Sequence, residues 1–148
     1  SKRTRRIYRL PSEAQWEYAC RAGTLSPFHS GETLTTDVAN YNGEFVYRGE
    51  PKGVYRHTTT VVDLFPPNAF GLHDMHGNLW EWCADAWHDS YDGAPADERV
   101  WQSNGKEKYR VARGGSWHDI PDVCRSAARL RVAAREAEEI IGFRVAFC

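Results

Sequence analysis

The sequence predicts a single, loop-rich domain of the α+β class, and three observations support this prediction. One segment carries a complete set of helix signals, whereas several others show the short alternation of apolar and polar side chains that is typical of strands. Six Trp, seven Tyr and six Phe supply rings that can stabilise a core with little regular structure, since each ring buries about 150–250 Å². Twelve Gly and seven Pro in 148 residues indicate many turns.

The first elements are a short strand over 6–10 and a helix over 12–22. Ser12 can cap the helix, and Gln15, three residues later, completes a capping box that satisfies two backbone amides. Apolar residues follow at helical spacing, and Gly23 offers the left-handed conformation that ends a helix. The apolar residues are Trp16, Ala19 and Cys20.

The stretch from 24 to 67 has no clear period and is rich in turn residues. Within this stretch, the sequence of residues 31–38 predicts a second short helix, capped near Thr33. Aromatic side chains are expected to hold the stretch against the rest of the domain: Phe45, Tyr47, Tyr55, Phe65 and Phe70.

Alternating side chains predict three further strands, over 79–87, 109–117 and 143–147, and 90–105 is expected to be a polar loop. The pair Gly114-Gly115 indicates a bend or a close backbone approach.

The segment 124–141 has two interpretations. Its Ala, Arg, Leu and Glu content favours a helix. Its first ten residues, however, alternate between arginines and small apolar side chains, which is the period of a strand. The residues alone leave the two interpretations balanced.

Composition restricts the partners of the protein. A net charge of −1 and the absence of an apolar run of membrane-spanning length predict neither a nucleic-acid nor a membrane partner. Basic residues near the start are interpreted as a solvated chain end: Lys2, Arg3, Arg5 and Arg6. Scattered cysteines without a CxxC pair predict reduced thiols and a cytoplasmic location: Cys20, Cys83, Cys124 and Cys148.

Four blocks in order resemble the formylglycine-generating, sulfatase-modifying family over nearly the whole chain. They are YRLPSEAQWEYACRAG (8–23), FPPNAFGLHDMHGNLWEW (65–82), VARGGSW (111–117), and CRSAAR with GFRVA (124–129 and 142–146). The resemblance implies a C-type-lectin-like fold, with short helices around small antiparallel sheets and with paired N- and C-terminal strands. It also implies a strand over 125–133 and a loop over 134–141.

The resemblance further implies one domain over 1–148, expected to be a monomeric module at the C-terminal end of a larger protein. The family's usual N-terminal extension, which carries an F-x-M-G-type strand, is absent from these residues.

In the resembling oxidases, two cysteines after the Gly-Gly-Ser motif bind copper. Counting from Ser116, the second position is Cys124 and the first is Asp119. Because an aspartate is a hard oxygen ligand and cannot replace a thiolate on Cu(I), we expect neither copper nor catalysis. Cys124 is then interpreted as a small buried apolar group.

The family also has a structural calcium site in the turn before the aromatic strand. Carried over, it implies Ca²⁺ ligands from the side chains of Asp74 and Glu81 and the carbonyls of Gly77 and Leu79. Alternatively, Asp74 caps its own turn and Glu81 pairs with an arginine. A second family site would need an acid near Val54, which is missing.

A subset of these domains forms the variable proteins of diversity-generating retroelements, and the frame around 113–145 resembles theirs. The residues between the fixed blocks can mostly be reached from asparagine codons by changing adenines alone, although Glu136, Glu138 and Glu139 cannot. The sequence therefore predicts a binding surface for a protein or a small organic ligand, with an acidic rim. Its residues are Trp117, His118, Asp119, Ile120, Asp122, Val123, Ala128, Leu130, Val132 and Ala134.

Two alternatives to a binding module stay open. One is a formylglycine-generating oxidase, against which Asp119 argues. The other is a structural or sensor domain within a multidomain regulator, such as one linked to a kinase or a protease.

Overall fold

The computed structural model describes residues 6–103 and 108–147, and within them it has an α+β fold with one α-helix and six short strands. The helix α1 covers Glu13–Arg21, and a 3₁₀ turn covers Pro121–Cys124. The strands are β1 Tyr8–Arg9, β2 Trp80–Ala86, β3 Tyr109–Arg113, β4 Leu130–Ala133, β5 Ile141–Gly142 and β6 Ala146–Phe147. Among the described residues, no helix has the length and apolar composition needed to cross a bilayer. The basic residues 2–5 and Cys148 lie outside the described residues.

The strands form two sheets. Strands β1 and β6 pair in antiparallel fashion, with Tyr8 opposite Phe147, so the predicted pairing of the two chain ends is confirmed. The other sheet has the order β4-β3-β2-β5. Its β2–β3 and β3–β4 pairs are antiparallel, as expected, whereas β5 runs parallel to β2 because the chain returns through a loop before pairing.

The capping signals of α1 are confirmed. The Ser12 hydroxyl accepts a hydrogen bond from the Gln15 amide, and the Gln15 side chain accepts one from the Ser12 amide. The left-handed cap falls on Ala22 (φ 46°), one residue before the predicted Gly23, which also has a positive φ of 92°.

The predicted second helix over 31–38 is wrong, because this segment forms turns. Thr36 in this segment bonds to a distant part of the chain. The Thr36 hydroxyl accepts from the Val54 amide at 3.0 Å, and the Thr36 carbonyl accepts from Arg56 at 2.9 Å. These tertiary bonds replace the local ones that a helix would need.

Three apolar clusters form the core, and one of them holds the irregular stretch in place. That cluster contains Phe28, Leu34, Ala39, Tyr41, Tyr47 and Cys124. Of the five aromatics predicted for this role, Tyr47 and Phe65 are buried, whereas Phe45 and Phe70 are about half exposed. Phe28 and Tyr41 take their place, because they pack against Cys124 from the far end of the chain.

The segment 124–141 follows the alternation rather than the helix propensity. Within it the chain forms β4 (Leu130–Ala133), which is shorter than predicted. The expected loop over 134–141 ends in the unpredicted strand β5, because the Trp80 amide bonds to the Ile140 carbonyl at 2.9 Å. The strand predicted over 109–117 stops at Arg113, and that over 143–147 keeps only β6.

The chain bends sharply at Gly114 and Gly115, which have φ values of 105° and 77°. A Cβ added at Gly115 would lie 2.5 Å from the sulfur of Cys124, so the close approach predicted for this glycine pair is confirmed. The bend is therefore fixed both by its left-handed backbone and by the thiol packed against it.

We predict that Gly115→Ala lowers the free energy of unfolding by about 2–4 kcal/mol, since it adds a steric clash to the strain of a positive φ. Gly49→Ala is the matched control, because Gly49 has a φ of 89° and open space around its Cβ position. It should lose only about 1 kcal/mol. Urea unfolding of both variants measures the difference, and equal losses would contradict the clash.

Candidate ligand-binding surface

The bend after β3 carries the candidate surface and is attached to the turn before β2. The Gly77 amide donates to the Gly114 carbonyl at 2.8 Å, and the Trp117 amide donates to the Asn78 carbonyl at 3.0 Å. Ser116, between them, is fully buried. Residues 116–119 therefore start from a fixed backbone position.

Asp119 is a structural hydrogen-bond acceptor. Its Oδ2 accepts from the Trp80 indole N–H at 2.8 Å, from the Ser116 amide at 3.0 Å and from the Ser116 hydroxyl. Its backbone carbonyl accepts from the Asn42 amide at 2.9 Å. The side chain and backbone of Asp119 thus join three parts of the chain.

Cys124 is a buried thiol without solvent exposure, as predicted. Its Sγ donates to the Ile120 carbonyl at 3.7 Å. Burial raises the pKa of this thiol well above its usual value, and the carboxylates of Asp119 and Asp122 raise it further. The thiolate that metal binding or nucleophilic attack requires is strongly disfavoured here.

His76 lies beneath the surface as a neutral imidazole. Its Nδ1–H donates to the Cys124 carbonyl at 2.7 Å, and its Nε2 accepts from the His29 amide at 3.0 Å. Burial is the largest cause that lowers its pKa, to about 3. Because both ring nitrogens are engaged, His76 connects three segments and has no nitrogen left for a metal.

A groove runs between β4 and the chain that follows Gly115, and we call it the C-terminal groove. It consists of two depressions that share Glu138 and Ile140 as lining residues. The inner depression has a volume of about 320 Å³. It is lined by Trp80, Asp119, Val123, Arg129, Leu130, Arg131, Val132, Glu136, Glu138, Ile140 and Ile141. The outer depression, of about 390 Å³, is lined by Trp117, His118, Glu138, Glu139 and Ile140.

The C-terminal groove brings together six of the ten residues that the sequence predicts as ligand-binding. They are Trp117, His118, Asp119, Val123, Leu130 and Val132. Ile120, Asp122 and Ala134 are exposed but do not line it.

Two predicted residues do not present their side chains to solvent, which corrects the prediction of a displayed surface at these positions. Ala128 is 9% exposed and Val132 is 5% exposed. Val132 packs with Trp80 and Ala112, because the alternation in β4 turns it toward the core while Arg131 faces out. Val132 can form only the floor of the groove.

Several groove residues were not predicted. Ile140 and Ile141 enter through the pairing of β5, which no local pattern indicated. Tyr55 lies outside the groove but supports it, since its ring stacks on Trp117 with centroids 6.2 Å apart. Its hydroxyl is hydrogen-bonded to His118 Nδ1 at 2.7 Å. A contact between residues 63 positions apart leaves no signal in the local sequence.

Three of the residues predicted to bind calcium, Asp74, Leu79 and Glu81, line one depression, but two of the predicted ligands already accept hydrogen bonds. Glu81 is already neutralised, because Arg144 donates to both of its carboxylate oxygens and Trp16 donates to one. The Gly77 carbonyl accepts from the Leu79 amide at 2.9 Å. Asp74 has a buried Oδ2 without a hydrogen-bond partner among the described residues. The calcium site stays a prediction, and the alternative pairing of Glu81 with an arginine is observed.

A further cavity of about 280 Å³ lies between α1 and the loop that follows β2. Its buried carboxylates have structural partners. Asp85 accepts from the Glu13 and Trp101 amides, and Glu13 accepts from Arg129. These groups anchor the helix and the loop rather than facing a ligand.

The helix, the two sheets and the groove after the Gly-Gly bend define a domain of the sulfatase-modifying type. The family description "Sulfatase-modifying factor enzyme 1-like domain" matches residues 1–147, and the chain belongs to this family.

Curated relatives include proteins with different names. The chain is 35% identical over 146 residues to the formylglycine-generating enzyme of Bos taurus, covering 93% of the chain and 38% of that enzyme. It is 34% identical over 140 residues to the serine/threonine-protein kinase pkn1 of Chlamydia pneumoniae, covering 93% and 20%. An "Inactive C-alpha-formylglycine-generating enzyme 2" of Bos taurus is 33% identical, covering 93% and 43%. The family therefore includes proteins named as enzymes and a protein named as inactive.

Solved structures confirm the fold. PvdO from Pseudomonas aeruginosa superposes with a TM-score of 0.83 at 41% identity, over 98% of this chain and 54% of PvdO. Variable protein 1 of Treponema denticola superposes with a TM-score of 0.74 at 30% identity, over 95% and 47%. The chain spans about half the length of these two structures, and less of the curated relatives.

We predict that His76 makes the protein less stable in acid. The folded-state pKa of about 3 lies below the ordinary 6.5, so the unfolded chain binds the proton first, and stability falls as the pH drops below about 6.5. Between pH 7 and 5 this group should remove about 2 kcal/mol of unfolding free energy.

Urea unfolding of His76→Gln at pH 7 and pH 5 checks the prediction. The variant loses ring packing at both pH values, but its stability should change less between them than that of the parent chain. His57→Gln, at an exposed histidine, is the control and should keep the parent's pH dependence. The same pH dependence in all three proteins would contradict the role of His76.

Proposed function

We propose that this chain is a non-catalytic, ligand-binding member of the family and that the C-terminal groove receives the ligand. The observation that carries the proposal is the bonding of Asp119, whose carboxylate accepts from Trp80 and Ser116. A copper-binding thiol pair cannot form where one member is an engaged oxygen ligand and the other, Cys124, is a buried thiol with a raised pKa.

The groove has the physical properties of a binding site. Each depression falls within the range of about 300–1,000 Å³ that is usual for small-molecule pockets. Apolar side chains make up half of the residues that line the groove, and charged side chains with His118 make up the rest. The walls are attached to β3, β4 and the Gly-Gly bend, so side chains at the surface can differ without disturbing the scaffold.

Display of changeable residues, in the manner of retroelement variable proteins, is the form of binding that we favour. The likeness to the Treponema variable protein supports it. His118, Ile120, Asp122 and Ala134 are exposed, and their identities can be reached from asparagine codons through adenine changes.

Asparagine variants distinguish exposed positions from core positions on the same segment, because only a buried asparagine should lower the unfolding free energy strongly. We predict that Ala134→Asn, at an exposed site, changes the unfolding free energy by less than about 0.5 kcal/mol. Val132→Asn should lose about 3 kcal/mol, because it buries an amide among Trp80 and Ala112. Urea unfolding measures both changes, and a neutral Val132→Asn would show that β4 does not use Val132 as core.

Absence of oxidase chemistry is tested directly. The reduced chain is incubated with Cu(I), oxygen and a cysteine-containing sulfatase peptide, and the product is examined by mass spectrometry. We expect no formylglycine, whereas the bovine enzyme under the same conditions supplies the positive control. Peptide conversion that Cys124→Ser abolishes would overturn the proposal.

A second candidate is a sensor or structural domain of a multidomain regulator, which the likeness to the chlamydial kinase favours. The coding sequence around this chain distinguishes the two. A reverse transcriptase gene and a near-repeat template support a variable protein, whereas a kinase domain in the same reading frame supports a regulator.

A further inference from the structure

The two depressions of the C-terminal groove differ in charge. In the outer one, the lining residues with a full charge are two carboxylates, Glu138 and Glu139, and no Lys or Arg joins them. The inner one contains Arg129 and Arg131 beside acidic residues. The outer end of the groove is therefore the more negative end.

The carboxylates of Glu138 and Glu139 have no compensating partner. Within residues 6–103 and 108–147, neither side chain forms an ion pair or a hydrogen bond, and both are exposed. Other acids of the scaffold are paired with arginines, such as Glu13 with Arg129 and Glu81 with Arg144. Glu138 and Glu139 thus differ from the acids that serve the fold.

The arginines of the inner depression are committed elsewhere. Arg129 donates to both carboxylate oxygens of Glu13 and lies over the Trp87 ring at 4.3 Å. Arg131 lies over the Tyr109 ring at 4.8 Å. Neither forms an ion pair with the glutamates of the outer depression among the described residues.

An aromatic ring stands beside the two carboxylates and is held in place. Trp117 contacts Tyr55 in a stacked arrangement and His118 in an edge arrangement, with centroids 6.2 and 5.3 Å apart. The face of a Trp ring is the most favourable aromatic surface for a cation. Carboxylates and a fixed indole in one depression both favour positive charge.

We propose that the outer depression binds the ammonium group of a small organic ligand, whose apolar body lies in the inner depression against Trp80, Leu130 and Ile140. This inference rests on the proposed function and adds the chemical class of the ligand. Charge complementarity selects the ammonium group, and the volume of each depression suits a small molecule rather than a folded partner.

Three probes, each with a phenyl ring on a four-carbon chain, test the charge preference: (4-phenylbutyl)trimethylammonium, 4-phenylbutan-1-ol and 4-phenylbutanoate. Titrations followed by ¹H–¹⁵N NMR, including the Trp117 indole N–H, measure each dissociation constant. We expect the ammonium probe to bind about 10-fold more tightly than the alcohol, and the butanoate to bind most weakly. Added salt should reduce the preference, because both carboxylates are exposed.

The double variant Glu138→Gln, Glu139→Gln should lose about 10-fold in affinity for the ammonium probe and keep its affinity for the alcohol. Glu98→Gln is the matched control, since Glu98 lines a separate depression that shares no residue with the groove. It should leave all three affinities unchanged. Leu130→Ala should weaken the binding of every probe, because the apolar body loses its contact with Leu130 in the inner depression.

The results separate this inference from the proposed function. Equal binding of all three probes, or preference for the butanoate, overturns the ammonium class and leaves groove binding in place. No binding of the ammonium probe overturns the inference, whereas the proposed function is decided by the peptide-conversion experiment. A peptide that carries Phe-Lys is titrated as a fourth probe. If it binds and the three small molecules do not, the ligand is a protein and the inference is overturned.

Discussion

The buried guanidinium of Arg113 is the interaction on which the rest of the structure depends. Arg113 ends β3, has no solvent exposure and lies over the Trp16 ring at 5.5 Å. It pairs with Glu17 and Glu13 of α1 and donates to the Ala128 carbonyl. Because a buried charge without partners costs several kcal/mol, the helix, the central strand and the segment before β4 must take up their positions together.

A second set of charges extends this arrangement to the chain end. Trp16 donates to Glu81 of β2, and Glu81 receives Arg144, which lies just before β6. The helix therefore contacts the four-stranded sheet through the ion pairs of Arg113, and Trp16 connects it through Glu81 to Arg144 beside β6. The groove lies on the opposite face of the same central strands. The Arg113 and Glu81 ion pairs therefore hold its walls in place from outside the groove.

The sequence predicted the elements whose hydrogen bonds and backbone conformation depend on residues close together in the chain. The capping box at Ser12 and Gln15 and the Gly114-Gly115 bend follow from short-range chemistry. The segment 31–38 and strand β5 could not be predicted in this way, because their bonds go to Val54 and Trp80.

For the groove, the sequence identified the segment after the bend but not which side chains face outward. Val132 belongs to the core because its strand turns it toward Trp80 and Ala112, and Ala128 is buried just before that strand. Tyr55 could not be assigned to the groove, since it reaches Trp117 and His118 only across the folded chain.

The carboxylate of Asp119 also limits which side chains this position can accept. A cysteine here would leave the Trp80 indole N–H and the Ser116 amide without a strong acceptor, since thiols accept hydrogen bonds weakly. Each orphaned donor costs about 1–3 kcal/mol. A thiol at position 119 would therefore need a different side chain at position 80 and another acceptor for the Ser116 amide, so one carboxylate constrains two neighbouring segments at once.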